Sequence, residues 1–156
     1  MLSSLPVSAA ADPMADALAA VKSRITVPAE LTEFDSTKME YNGETSYDFT
    51  WSQKEGVSTM NIDCDQYARI TGYSYWDGNF EDRDDNRLSP YTKEDAQKCA
   101  MDFLKKALPD AFGETSDLVL RNDSSGGYFS GNGINYNFHY SRTYDGITVE
   151  NNYVSV

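Results

Sequence analysis

The sequence predicts an α+β fold of two tandem units, each one helix packed on an antiparallel β-meander, with the second unit incomplete at its C-terminal end. Three observations predict it. Apolar residues recur at helical spacing twice, over 14–25 and over 93–108, and alternating apolar and polar residues follow each run. The alternating segments echo one another, as "YDFTWS" at 47–52 and "YNFHYS" at 136–141. Pairs suited to chain reversal, Asn42-Gly43, Glu55-Gly56 and Thr71-Gly72, punctuate the first alternating region.

The first helix begins with Asp12 as N-cap and Pro13 at its first position, and Met14, Ala17, Leu18, Val21 and Ile25 supply its apolar side. Pro28 prevents its extension. Residues 36–76 read as a series of strands, with Tyr47, Phe49 and Trp51 on one face and Asp48, Thr50 and Ser52 on the other. Met60, Ile62 and Cys64 likewise share a face, and Thr71-Gly72 is expected to turn the chain into a last aromatic strand. Residues 77–90, "DGNFEDRDDNRLSP", form an acidic linker. The second helix, within 91–110, takes Thr92 as N-cap, acids Glu94 and Asp95 at its positive end and Lys105 and Lys106 at its negative one. Its apolar stripe is Ala96, Cys99, Ala100, Phe103, Leu104 and Ala107, and Pro109 stops it. A short strand at 117–122, a Gly/Ser-rich turn region at 124–133 and a hairpin at 134–156 complete the chain. Aligning the halves pairs Tyr47-Asp48-Phe49 with Tyr136-Asn137-Phe138 and Gly56-Val57 with Gly146-Ile147. The division is therefore 1–11 leader, 12–76 first repeat, 77–90 linker and 91–156 second, truncated repeat.

With 156 residues, 40% of them hydrophobic, the chain is long and apolar enough to bury a core. A net charge of −12 argues against a nucleic-acid groove or an anionic membrane surface, both of which attract clustered Lys and Arg. It is compatible with a basic peptide, with Ca²⁺ or with solubility alone. No apolar run approaches the ~18 residues that span a bilayer. The start, "LPVSAAADP", ends in small residues with Ala9 and Ala11 at signal-peptidase spacing, but the basic and long apolar regions of a signal are missing from "MLSSLP". Residues 1–11 are either the remnant of an export signal or a disordered leader. Cys64 and Cys99 read as two buried free thiols, with a bridge between them as the alternative that only their separation in space decides.

The stretch "YTKEDAQKCAMDFLKKALPD" followed by "YNFHYSRTYDGITVENNYVSV" resembles the YcdB/YcdC-type repeat, a relative of the PepSY domains of peptidase propeptides. Tyr136, Phe138, Tyr140, Arg142, Asp145, Gly146, Ile147 and Val149 carry the likeness, and the first copy departs from it at Gln53, where the pattern has Arg. The resemblance implies a helix on a curved antiparallel sheet, often in tandem, in exported or surface-attached proteins of Gram-positive bacteria. It implies no catalytic residues and no cofactor. The roles it suggests are inhibition or chaperoning of a peptidase, or a module at the cell wall.

Chemistry-bearing residues point the same way. The single His139 excludes multi-histidine zinc sites, and strand parity sends it away from Phe138 and Tyr140. No G-x-S-x-G elbow is present; counting does not exclude a paired acid site among 25 acids, but a small, shallow helix-on-sheet unit offers no deep cleft to raise one carboxyl's pKa. Asp77, Asn79 and Glu81 make half a Ca²⁺ loop, without its Gly or closing Glu, so a solvated acidic linker is the expectation. Aromatics are 13% of the chain, and Tyr73, Tyr75, Trp76 and Phe80 are those expected to reach a partner. The expected function is non-enzymatic recognition of a peptidase or other polypeptide along an open strand edge, with Ile147 and Val149 on the unpaired C-terminal strand. That strand also invites self-association. The alternative is a cell-wall carbohydrate module using the Tyr73–Phe80 aromatics, or a structural repeat.

Overall fold

The computed structural model describes residues 12–77, 91–113, 115–121, 125–130 and 133–156. The fold is α+β, and the chain divides into two compact units. The first takes the described residues up to Lys54 together with Thr59–Tyr75; the second takes Glu55–Ser58 and the described residues from Trp76 onward. The leader 1–11 and the linker from residue 78, with Phe80 and all but Asp77 of the half Ca²⁺ loop, lie outside the described residues.

In the first unit, helix α1 (Pro13–Arg24) starts where Asp12 accepts from the Met14 amide at 3.1 Å. Strands β1 (Glu33–Tyr41), β2 (Glu44–Ser52), β3 (Thr59–Asp65) and β4 (Ile70–Trp76) follow in the sheet order β1-β2-β3-β4. Asn42 and Gly43, at φ 51° and 82°, make the two-residue turn whose twist matches a right-twisted hairpin. Tyr47, Phe49 and Trp51 of β2 and Met60, Ile62 and Cys64 of β3 are buried with Ala17, Val21 and Ile25 of α1. The core is therefore helix against sheet, with the Phe49 and Trp51 rings 6.3 Å apart and Phe34 closing over both.

The turn expected at Thr71-Gly72 lies instead at 66–69. Asp65 Oδ1 accepts from the amides of Tyr67 (2.9 Å) and Arg69 (3.0 Å), giving the chain reversal its partners without a glycine. Gly72 sits inside β4 for another reason: a Cβ there would meet the Asp63 carboxylate on the neighbouring strand.

In the second unit, helix α2 (Lys93–Ala107) opens with a capping box between Thr92 and Asp95, and a 3-10 turn at Pro109–Ala111 follows it. Strands β5 (Ser116–Leu120), β8 (His139–Tyr144) and β9 (Ile147–Ser155) form a sheet in the order β5-β8-β9, and β6 (Gly126–Ser130) pairs with β7 (Gly133–Asn137). The region expected to be a Gly/Ser-rich turn is thus partly strand, and the expected hairpin at 134–156 is three strands. Glycines at 126, 127 and 133 remove the alternation by which those strands would be read. Ala100, Leu104, Ala111, Leu118, Phe138 and Tyr140 form the core of this unit. Cys99, expected on the buried stripe, is exposed. Ala100 and Leu104, one and five positions on, take the sheet-facing side, which turns Cys99 outward.

Candidate functional site

The second sheet has β8 at its centre, so β9 is paired along one side only among the described residues. An edge strand presents its outward amides and carbonyls to any chain that can continue the ladder. Two features shape this edge. The Asp145-Gly146 turn (φ 49° and 76°) brings Ile147 opposite Tyr144 and leaves Ile147 72% exposed. Further along, the register shifts: Thr148 pairs with Thr143 and Tyr153 with Ser141, so four residues of β9, 149–152, oppose the single residue Arg142.

That bulge bounds a concavity of about 380 Å³ lined by Val119, Leu120, Arg121, Ser141, Thr148, Val149, Asn152 and Tyr153. Ser141 and Thr143 are buried although they face away from Tyr140, and Thr143 donates to the Asp117 carbonyl at 3.3 Å. The concavity mixes hydroxyl, amide and apolar groups. Val149 and Ile147, the two residues expected on this strand, are respectively in the wall of the concavity and beside it. The other lining residues were not singled out from sequence. Their one signal is "VENN", which interrupts the alternation of β9.

On the opposite face of β8, Tyr140, Arg142 and Tyr144 follow one another. Among the described residues the Tyr140 hydroxyl has no hydrogen-bond partner, and burial pushes its pKa up. Arg142 Nε is likewise buried and has no partner among the described residues, and Nη1 donates to the Tyr144 hydroxyl at 3.2 Å. His139, half-buried, has Nδ1 2.8 Å from Ser155 Oγ, its direct cross-strand partner. The pair ties β8 to β9.

In the first unit the aromatics of β4 divide. Asn61 Nδ2 donates to Ser74 Oγ and Gly72 lies beside Asp63, so even positions of β4 share the polar face of β3. Tyr73 and Tyr75 therefore point to the packing face, where the Tyr75 hydroxyl is 3.5 Å from Glu30, and Trp76 takes the opposite parity. The three do not form one flat platform. On the polar face Asp48 and Asp63 are direct cross-strand partners. Burial, then a hydrogen bond and charge repulsion with Asp48, push the Asp63 carboxyl above the usual range. Among the described residues no three or more His, Cys, Asp or Glu side chains are grouped to hold a metal ion, and no helix is long and apolar enough to cross a membrane.

The fold and the edges define a class: an α+β protein in which a helix precedes the antiparallel strands of each unit and, among the described residues, the nine-residue strands β1 and β9 each lie at a sheet edge. Residues 15–156 match the family described as "YcdB, YcdC repeated domain", and the chain belongs to that family. No curated protein and no solved structure matches it.

Proposed function

We propose that this chain is a non-enzymatic, exported or surface-associated module of two PepSY-like repeats, and that it recognises an extended polypeptide along β9 in the manner of a propeptide or inhibitor of a peptidase. The open side of β9, running from Ile147 to Ser155 beside the concavity at the bulge, is the observation that carries this reading. The opposite end of the molecule's strand inventory gives a contrast. Strand β1 is also an edge, but Lys38 and Glu40 stand on its packing face as an ion pair, a device that discourages further strands. Strand β9 carries one charged residue, Glu150, in nine.

Helix followed by antiparallel strands, in both units, supports the repeat. Membership of a repeated-domain family supports it too. A carbohydrate platform is less well supported, because Tyr73 and Tyr75 point away from the face taken by Trp76.

The test is titration of the purified chain against secreted bacterial peptidases with activity followed in the same wells. Inhibition near one equivalent is the expected result. Full peptidase activity at a large excess of the chain, with no complex formed, contradicts the reading.

A further inference from the structure

Ser141 and Thr143 stand on the same outer face of β8 and are buried to nearly the same degree, but their hydroxyls differ. Thr143 donates to the Asp117 carbonyl at 3.3 Å. Ser141 is more than nine-tenths buried, makes no side-chain hydrogen bond to any described residue, and lines the concavity. Buried hydroxyls are ordinarily hydrogen-bonded, so an unmet one at an opening points to a group that enters from outside.

The register explains the opening. Ser141 lies in a cross-strand row between Val119 of β5 and Tyr153 of β9. The central residue is small, and its two neighbours are large and exposed, at 51% and 62%. Their strands flank β8 and run about 10 Å from each other, so the row forms a slot with Ser141 as its floor. Thr148 and Asn152, at the two ends of the β9 bulge, also line the concavity and likewise make no side-chain hydrogen bond to a described residue.

These groups select a ligand chemistry. Ser141 is paired with a strand on each side, so the floor of the slot offers a ligand its side chain and no further strand pairing. Hydroxyl and amide side chains both donate and accept, which matches a ligand rich in hydroxyls. Tyr153 and Val119 add apolar surface for the carbon face of a ring. Among the lining residues Arg121 alone is charged, and with no carboxylate or imidazole beside it a cation has no partner. The chain's charge of −12 disfavours an anion. A neutral sugar meets all of these conditions, and a volume of about 380 Å³ is at the small end of the range for ligand sites.

We propose that the outer face of β5-β8-β9 carries a carbohydrate subsite: one ring of a neutral sugar enters the slot, with Tyr153 against its apolar face and Ser141, Thr148 and Asn152 bonding its hydroxyls. This activity is separate from edge recognition, which uses the backbone of β9, and from the aromatics of β4.

The probes are glucose, N-acetylglucosamine and the β-linked trimer of each, with glycerol as a polyol that lacks a ring. They are titrated into the intact chain while the backbone amides are followed by NMR. The expected result is saturable shifts of Ser141, Thr148, Asn152 and Tyr153 with at least one sugar, as monomer and as trimer, and none with glycerol. Ser141→Ala removes a hydroxyl that bonds no described residue, so it should keep the native spectrum elsewhere. It should weaken binding of that sugar by about fivefold, the scale of one hydrogen bond. Tyr153→Ala should weaken it by about tenfold, the scale of one aromatic contact. If no sugar shifts these amides, if glycerol shifts them equally, or if Ser141→Ala binds as tightly as the native chain, the subsite is overturned. A trimer that binds while its monomer does not overturns the single-ring assignment. Shifts of the same amides with an end-blocked peptide of alternating Thr and Val, and with no sugar, would give the concavity to a polypeptide, overturning the subsite and leaving the edge reading standing. The comparison of probes on the native chain needs no variant, so a folding defect in Tyr153→Ala does not remove the test.

Discussion

Asp48 and Asp63 face each other across β2 and β3, and the raised pKa of Asp63 means that the folded chain holds this proton more tightly than the unfolded one. The stability it contributes is present in acid and is lost as pH rises through the folded pKa of Asp63. Asp65, two residues on, has the opposite sign. Burial works against its charge, but hydrogen bonds from the Arg69 side chain and from the Arg69 and Tyr67 amides prevail, holding its carboxyl below the usual range. Its contribution is present at neutral pH and lost as pH falls through its folded pKa. Asp63→Asn should therefore stabilise the chain near neutral pH by about 0.5 kcal/mol, the scale of a like-charge cross-strand pair. It should add nothing near pH ~3, where the raised pKa of Asp63 keeps its carboxyl protonated. Denaturant titration at both pH values checks this, and equal effects at the two would contradict it. The cysteines give a second residue-scale expectation. Burial, followed by the negative charges of Asp65 and Asp63, pushes the Cys64 thiol up to about 11, whereas Cys99 is exposed. A thiol reagent near pH ~8 should label Cys99 quickly and Cys64 only on unfolding, read by mass spectrometry. A third concerns Tyr140: removing its orphan hydroxyl in Tyr140→Phe should leave stability unchanged or raise it by about 1 kcal/mol in a denaturant melt, and a clear loss would reveal a partner for that hydroxyl.

At the scale of elements, helices were the most legible part of the sequence because their caps and their packing faces agree. Asp12-Pro13 and Thr92 each start a helix within a residue of expectation, and Ala17 and Val21 or Ala100 and Leu104 face the sheet at one-turn spacing. Alternation likewise revealed the buried faces of β2 and β3. Legibility failed where glycine serves packing instead of turning. Gly72 looked like a turn residue but gives room to the Asp63 carboxyl, and the reversal at 66–69 rests on Asp65 and on Ala68 at φ 59°. That strained alanine yields an expectation: Ala68→Gly should relieve a left-handed cost of about 1 kcal/mol, partly offset by the greater freedom of glycine when unfolded, and calorimetry should show a small rise in melting temperature. The site was half legible. Ile147 and Val149 could be placed on β9 from their alternation, but the bulge that opens the concavity depends on β9 skipping Arg142, a pairing that no local pattern encodes.

At the scale of the whole chain, two compact units and membership of a repeated-domain family fit a protein assembled from similar modules. Each unit buries its own helix against its own strands, so an edge can bind a partner without unpacking a core. The net charge of −12 opposes the close approach of two such chains and of acidic partners, so raising ionic strength should speed association with an acidic peptide until the repulsion is screened. The central claim is that β9 is the strand that a partner extends. Hydrogen–deuterium exchange of the whole chain, with and without a bound peptidase or extended peptide, tests it most directly. The expected result is slowed exchange confined to the outward-facing amides of 147–155, with those of β1 unchanged. A complex in which the β9 amides exchange as fast as in the free chain would contradict the account.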